Sequence, residues 1–451
     1  MSSKAPGLSP TTALVSLLGV GSASVAYLYY YNRQLKNVAT DPNEVVVPML
    51  PFETSQMMME NAVSISSLTW YSGNVEDVQN GLRQKVTEIL NANPWLTGKL
   101  ATRYGGTSIV YTNDVTEKKI ENIFTISNDF QITRKMPYKD LTVALEPLLV
   151  KVGKELLDST KNDPIFRISI VPETDGNGFA LITSLAHCVG DGQTYYTLHN
   201  MLSSDEEVSS LNVSRKMDLT QKIEDALGGP EQASSFSPNA GFIVRFLRGL
   251  ISSKLSGPAS VKLFHVPEGW IEEHKAKVQD GWVSTNDILT SQFFKTVDCD
   301  QATMPLNFRG KIQNCCPDDA GNYFQFLIFR PSDYETPSQI RLAINEIIES
   351  GSRKPLTTPM SSFEHLTSRK QFGTISNWCT FVKPVKLEGC QDLDLHIPLV
   401  KTDPMSVPWR FVSGMFVFRP DANNKVAALF AGHPDVLERL EETGMIGEEI
   451  A

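Results

Sequence analysis

"PIFRISIVPETDGNGFALITSLAHCVGDGQTYYTLHNML", residues 164–202, runs from an alternating segment through a turn into an apolar segment, bends, and turns helical. Phe166, Ile168 and Ile170 alternate as on a half-buried strand. "TDGNG" supplies glycine and asparagine, which tolerate positive φ, and "FALITSLAH" reads as the returning strand. His187 therefore falls at a strand end, with Asp191 and Gly192 on the turn and "TYYTLHNML" as a helix beyond. A strand–turn–helix unit presents its turn at a sheet edge, where ligands commonly bind.

The pair His187 and Asp191 admits several readings. As a metal couple it lacks company, because His199, His265, His274, His365, His396 and His433 are scattered without a second ligand pair. Cys188 does not serve as a nucleophile for His187, since adjacent side chains on a strand point to opposite faces. No G-x-S-x-G elbow occurs, which removes the commonest serine-hydrolase reading. A lone general base remains: a near-neutral imidazole takes a proton from an alcohol or amine attacking an activated acyl group, then returns it to a leaving thiolate. Asp191 would hold the turn by pairing with an arginine from another element, and Gly192 would keep side-chain bulk out of the pocket. H-x-x-x-D-G alone is equally compatible with a satisfied structural histidine.

The totals frame this site. At 451 residues the chain calls for two lobes or one large α/β unit, and 41% hydrophobic with 20% charged residues is the make-up of a folded soluble body. A net charge of −10 without a basic run gives no electrostatic reason for nucleic acid. The six cysteines form no C-x-x-C pair and no disulfide framework, which suits reduced thiols.

The N-terminus differs from the body. No charge lies between Lys4 and Arg33, and "TALVSLLGVGSASVAYLYYY" is about long enough to span a bilayer, ending in tyrosines suited to a membrane boundary. A tail, 1–12, followed by a single-pass signal anchor, 13–31, is expected; a signal peptide cut near Ala26 is the other reading. The expected location is an endoplasmic reticulum or other organelle membrane with a cytosolic body, because Arg33 and Lys36 follow the span. The sequon Asn212-Val213-Ser214 matters only for a lumenal body.

Elsewhere strands and helices interleave, so the class is α/β. "NVEDVQNGLRQKVTEIL" spaces Val75, Val78, Leu82, Val86 and Ile89 as one buried helical face. "DLTVALEPLLVKVGKELL" reads as another helix, and residues 206–260 as a connection between an N-terminal lobe, 45–205, and a C-terminal lobe, 261–451. Ser284 and Asp287 are spaced as a helix cap. "SQIRLAINEIIESG" is a helix capped by Ser338 and closed by Gly351, "GNYFQFLIFRP" a strand, and "GMFVFRPDANNKVAALF" a hairpin.

Five stretches, in order, resemble the CoA-dependent acyltransferase superfamily, which includes BAHD enzymes, chloramphenicol acetyltransferase, wax ester synthases and condensation domains. They are "NPWLTGKL", the strand–turn–strand ending in "HCVGDG", "VSTNDILTSQFF", "PLNFRGKI…DDAGNYF" and "TISNWCTF". The resemblance implies a two-lobed chloramphenicol acetyltransferase-like fold of mixed sheets and helices, with an active-site channel between the lobes. It implies an acyl-CoA-dependent O-acyltransferase acting on an alcohol acceptor, with acyl-CoA as co-substrate and no bound cofactor. The anchor suggests a lipophilic acceptor, lipid or isoprenoid, and a monomer is expected. Carried over by position, His187 is the general base and Asp191 the loop-holding partner of an arginine, for which Arg309 is the candidate. Asn322 supports the same loop, Gly192 keeps the substrate side open, and Ser376 and Trp378 fall where the acceptor is oriented and the oxyanion stabilised.

Two departures matter. The Asp-Phe-Gly-Trp-Gly sequence of BAHD enzymes is absent; the corresponding region reads "HIPLVKTDPMSVPW". Wax synthases and condensation domains carry two consecutive histidines where this chain has Ala186 before His187. A long-chain wax ester or diacylglycerol synthase and a catalytically silent, membrane-tethered binding protein of the same fold are the alternative readings.

Overall fold

The computed structural model describes residues 42–450 except 159, 175, 177, 228, 230–238, 280, 351–358, 391–392, 401–407 and 424. The tail 1–12 and the expected span 13–31 lie outside the described residues. Among those described, no helix is long and apolar enough to cross a membrane.

The first half builds two sheets. Strands β1 (Val45–Pro48), β3 (Lys99–Arg103) and β4 (Gly106–Tyr111) make a small antiparallel sheet in the order β1-β4-β3. Strands β2 (Ile65–Ser72), β5 (Phe124–Ile126), β6 (Phe166–Pro172) and β7 (Gly178–Leu185) supply a larger one. β6 and β7 are the antiparallel pair expected on either side of the glycine-rich turn, with Phe166 opposite Leu185 and Pro172 opposite Phe179. Every residue of β7 is buried, as its near-continuous apolar run requires of a strand covered on both faces.

The six-stranded sheet belongs to the second half. It contains β8 (Ser260–His265), β9 (Gln301–Asn307), β10 (Phe324–Phe329), β11 (Phe372–Asn377), β13 (Val412–Phe418) and β14 (Ala427–Gly432), in the order β10-β9-β11-β13-β14-β8. The strand β12 (Leu395–Pro398) leaves this sequence neighbourhood and pairs antiparallel with β2, completing the first-half sheet as β12-β2-β7-β6-β5. A shared core joins the two large sheets: Leu68, Trp70 and Ile182 from one pack with Leu263, Phe418 and Leu429 from the other.

Helices α1 (Val75–Ala92), α2 (Gly192–Asn200), α3 (Ala240–Ser256), α4 (Thr285–Val297), α5 (Pro337–Ser350) and α6 (Ser362–Thr367) cover the sheets. α1 buries Val78, Leu82, Val86 and Ile89, the stripe its spacing predicts. α4 begins with the Ser284–Asp287 capping box. Three sequence expectations need correction. The helix-like stretch 140–157 is broken into Tyr138–Leu145, a 3-10 turn at Glu146–Leu148 and a short turn at Gly153–Leu156. Pro147 lacks the N–H an α-helix needs there. Thr336, not Ser338, caps α5: its hydroxyl accepts the Gln339 N–H at 3.3 Å, and the Gln339 side chain accepts the Thr336 N–H at 2.8 Å; Gly351 lies outside the described residues. The stretch 206–260 is not all linker, since it holds a helix at Leu219–Ala226 and the long α3.

Candidate active site

His187 stands two residues beyond the last residue of β7, on the turn that feeds α2. Asp191 is the N-cap of α2: its side chain accepts the Thr194 N–H at 3.0 Å. The four-residue spacing thus has a local cause, because the carboxylate that starts the helix also closes the turn.

The Asp191 carboxylate is buried and saturated. Arg309 Nη1 donates to Oδ2 at 2.7 Å and Nη2 to Oδ1 at 3.1 Å, a bidentate pair, while the Tyr323 N–H donates to Oδ2 at 2.9 Å. Burial on its own pushes an acid's pKa up, but the guanidinium and the backbone donors outweigh it, and Asp191 is held below the usual carboxylate range. Arg309 spends its other N–H groups inside the same loop: Nε on the Asp319 carbonyl at 2.8 Å, Nη2 on the Gly321 carbonyl at 2.9 Å, Nη1 on Asn307 Oδ1 at 3.1 Å. Its guanidinium lies 4.9 Å from the Tyr323 ring centroid.

A second buried ion pair, unmarked by any local pattern, grips the turn from the other side. Arg215 Nε donates to Glu53 Oε2 at 2.8 Å, with both side chains at 1% exposure or less. Arg215 also donates to the carbonyls of Val189 and Ala320, each at 2.8 Å. Glu53 Oε1 in turn accepts the Asn322 backbone N–H at 2.9 Å. Three consecutive carbonyls, Asp319, Ala320 and Gly321, are therefore shared between two buried arginines. Glu53 and Arg215 sit in polar stretches, "LPFETS" and "VSRKMD", where lone charges ordinarily read as solvated. Asn212 of the sequon is tied into the same loop, donating to Asp319 Oδ1 at 2.7 Å.

Asn322 connects this brace to His187, its Nδ2 donating to the His187 carbonyl at 2.8 Å. The His187 ring is half-buried, with Phe324 at 6.1 Å between centroids. Its Nδ1 and the Asn322 Oδ1 are both buried and have no hydrogen-bond partner among the described residues. Burial lowers the His187 pKa below the ordinary histidine value, and its own carbonyl, the Asp191 charge and the Asn322 side chain oppose that only in part. The imidazole is neutral at neutral pH, the form a base requires. Cys188 is packed in the core and burial pushes its thiol up to about 12, so it supplies no thiolate.

Ser376 and Trp378, at the end of β11, come together with each other and with α2. Trp378 Nε1 donates to Ser376 Oγ at 3.0 Å, which leaves the serine O–H as the free donor. Trp378 packs edge-on against Tyr196, 5.7 Å between centroids. A Cβ on Gly192 would touch Trp378 and Phe381 at 3.7–3.8 Å, so the glycine sits against this wall of the site. Tyr195 and Tyr196 are core residues, whereas Phe324 flanks the histidine.

An open cleft of about 740 Å³ lies over the six-stranded sheet beside α4 and α5. Lys275, Lys311, Arg341 and Arg419 line it, and among the described residues no carboxylate does, though Arg341 is paired with Asp287 at 2.6 Å and Lys275 with Glu272 at 3.0 Å. His187 is not part of its wall; the cleft meets the site through Asn307, whose Nδ2 contacts Gln193 Oε1 at 3.4 Å, and through Phe381 beside Gly192.

No protein-family profile matches the chain, and no curated protein matches it in sequence. Solved structures do match in fold. F. graminearum TRI101 complexed with ethyl coenzyme A superposes with a TM-score of 0.60 at 14% identity, over 90% of this chain and 100% of that one. Vinorine synthase gives 0.54 at 11% identity, over 90% and 98%. The first condensation domain of the CDA synthetase gives 0.54 at 10% identity, over 89% and 94%. The chain shares the fold of these three structures.

Proposed function

We propose that this protein transfers an acyl group from CoA to an alcohol, with His187 as general base and without an acyl-enzyme. One observation carries the reading: a neutral, half-buried imidazole on a turn locked by the buried Asp191–Arg309 pair and by Asn322. With the ring proton on Nδ1, Nε2 is the base. The acceptor hydroxyl gives its proton to Nε2 while its oxygen attacks the thioester carbonyl carbon. The Ser376 O–H, aimed by Trp378, donates to the resulting oxyanion. Collapse of the tetrahedral intermediate breaks the C–S bond, and His187 returns the proton to the CoA sulfur.

The cationic cleft supports an acyl-CoA co-substrate. Its volume falls in the range of small-molecule sites, and the cations on its otherwise neutral and apolar lining suit a polyphosphate chain. Lys311 has no carboxylate partner among the described residues, and burial lowers its pKa. The reading includes a lipophilic acceptor and a body held at a membrane, cytosolic side, by the segment 13–31. The test supplies acyl-CoA of increasing chain length with simple, isoprenoid and glycerolipid alcohols and follows free thiol. Thiol release that requires both substrates is expected; release indifferent to every alcohol would refute the transfer.

A further inference from the structure

α3 carries large apolar residues on both of its sides. A helix on a protein surface ordinarily turns such residues inward only. The inward side of α3 buries Ile243 with Gly241, Arg245, Gly249 and Ser253 and packs Phe242 and Phe246 on Phe411, while Val244, Ile251 and Leu255 face out. The inward side is fixed by close packing. A Cβ on Gly241 would collide with the Ser362 backbone, and one on Gly249 with Phe411. Arg245 is held inward by Asp300 at 3.0 Å and lies 5.0 Å from the Phe411 ring centroid. The neighbouring α6 extends the outer surface with Phe363 and Leu366. Leu255 is 83% and Phe363 74% exposed.

The charge on this face runs against that of the protein. The chain carries −10, yet α3 contains Arg245, Arg248 and Lys254 and no acid. Arg248 and Lys254 are exposed among the apolar residues, and Arg369 is exposed just after α6. None of these three has a carboxylate partner among the described residues; Arg248 donates only to the Leu366 carbonyl, at 3.3 Å. Glu364, the acid of α6, is paired with Arg330. Outward aliphatic and aromatic side chains ringed by unpaired cations fit the boundary of an anionic bilayer. A second copy fits poorly, because a two-fold contact would set Arg248 and Lys254 against themselves.

We propose that the outer face of α3, with α6, docks on an anionic lipid surface. α3 packs where β11 begins, through Phe242 against Phe372, while Ser376 and Trp378 lie at the far end of that strand. Ser376 is four residues and Trp378 six residues along the chain from Phe372, about 13 and about 20 Å, so docking leaves the candidate active site clear of the bilayer. The contact is separate from the segment 13–31 and from the acyl-transfer reading.

The test uses the full chain with Cys316 and Cys390 changed to Ser and Leu255→Cys carrying an environment-sensitive fluorophore. Vesicles of phosphatidylcholine plus phosphatidylserine should raise the emission several-fold with a blue shift. Phosphatidylcholine alone should give little change, and the same probe at Glu273→Cys none. Arg248→Glu with Lys254→Glu should abolish the rise. An unchanged probe at 255 on protein that pellets with the vesicles would mean that the N-terminal segment alone tethers it. That result overturns the proposal. An equal rise on neutral vesicles, or a rise with protein concentration in their absence, overturns it too.

Discussion

In the proposed reaction a single imidazole carries the chemistry, and its environment predicts a pH profile. Because burial lowers the His187 pKa, the neutral base persists below the ordinary histidine midpoint and protonates only as pH falls through its own lower value. The acid limb of kcat/KM should therefore have its midpoint below about 6.5, with a plateau above it. Asn322 pulls the pKa upward, so Asn322→Ala should move that limb further down in pH as well as lower the plateau. Stability at the same scale rests on the second ion pair. Glu53→Leu leaves Arg215 buried without its counter-charge, a loss of about 3–5 kcal/mol. The drop should appear as a lower urea midpoint, partly restored in Glu53→Leu with Arg215→Met. His187 and Asp191 were legible in their own spacing, whereas Arg309 and Asn322 were legible only through the resemblance of "PLNFRGKI…DDAGNYF" to the acyltransferase superfamily. Glu53 and Arg215 were not, since a lone charge in a polar stretch has no local mark of burial.

At the scale of elements, the turn 187–191 and the loop 319–322 are one unit. Gly321 sits at φ +143°, and a Cβ there would meet the Tyr323 ring at 2.9 Å and Arg215 at 3.2 Å. Gly321→Ala must displace a loop held by both arginines, so we expect turnover to fall by about tenfold or more, since small misplacements are costly in a catalytic site. KM should move less than kcat, and circular dichroism should remain that of the parent. The elements that came through in the sequence were those with strict periodicity or a cap: α1, α4, and the β6–β7 pair. Those that did not were set by tertiary packing. α3 buries Gly241, Arg245, Gly249 and Ser253 beside Ile243 and shows Val244, Ile251 and Leu255 outward, so a search for a single apolar stripe passes over it.

At the scale of the molecule, β12 crosses from the second half to complete the first sheet, and a common core seals the two sheets together. No local pattern predicts such an exchange, because β12 is four residues long and its partner β2 lies more than 300 positions earlier in the chain. The same arrangement leaves the cationic cleft on one side of α2, with Asn307 and Phe381 between it and the turn. Lys311→Glu should raise KM for acyl-CoA by about tenfold or more, a loss near 1.4 kcal/mol, while KM for the alcohol stays within a factor of a few. The most direct test of the account is thiol release by the His187→Ala protein under saturating acyl-CoA and acceptor. A fall in kcat of about 10²–10⁴, with CoA affinity retained, is the predicted result; turnover equal to the parent's would contradict the assignment of the base.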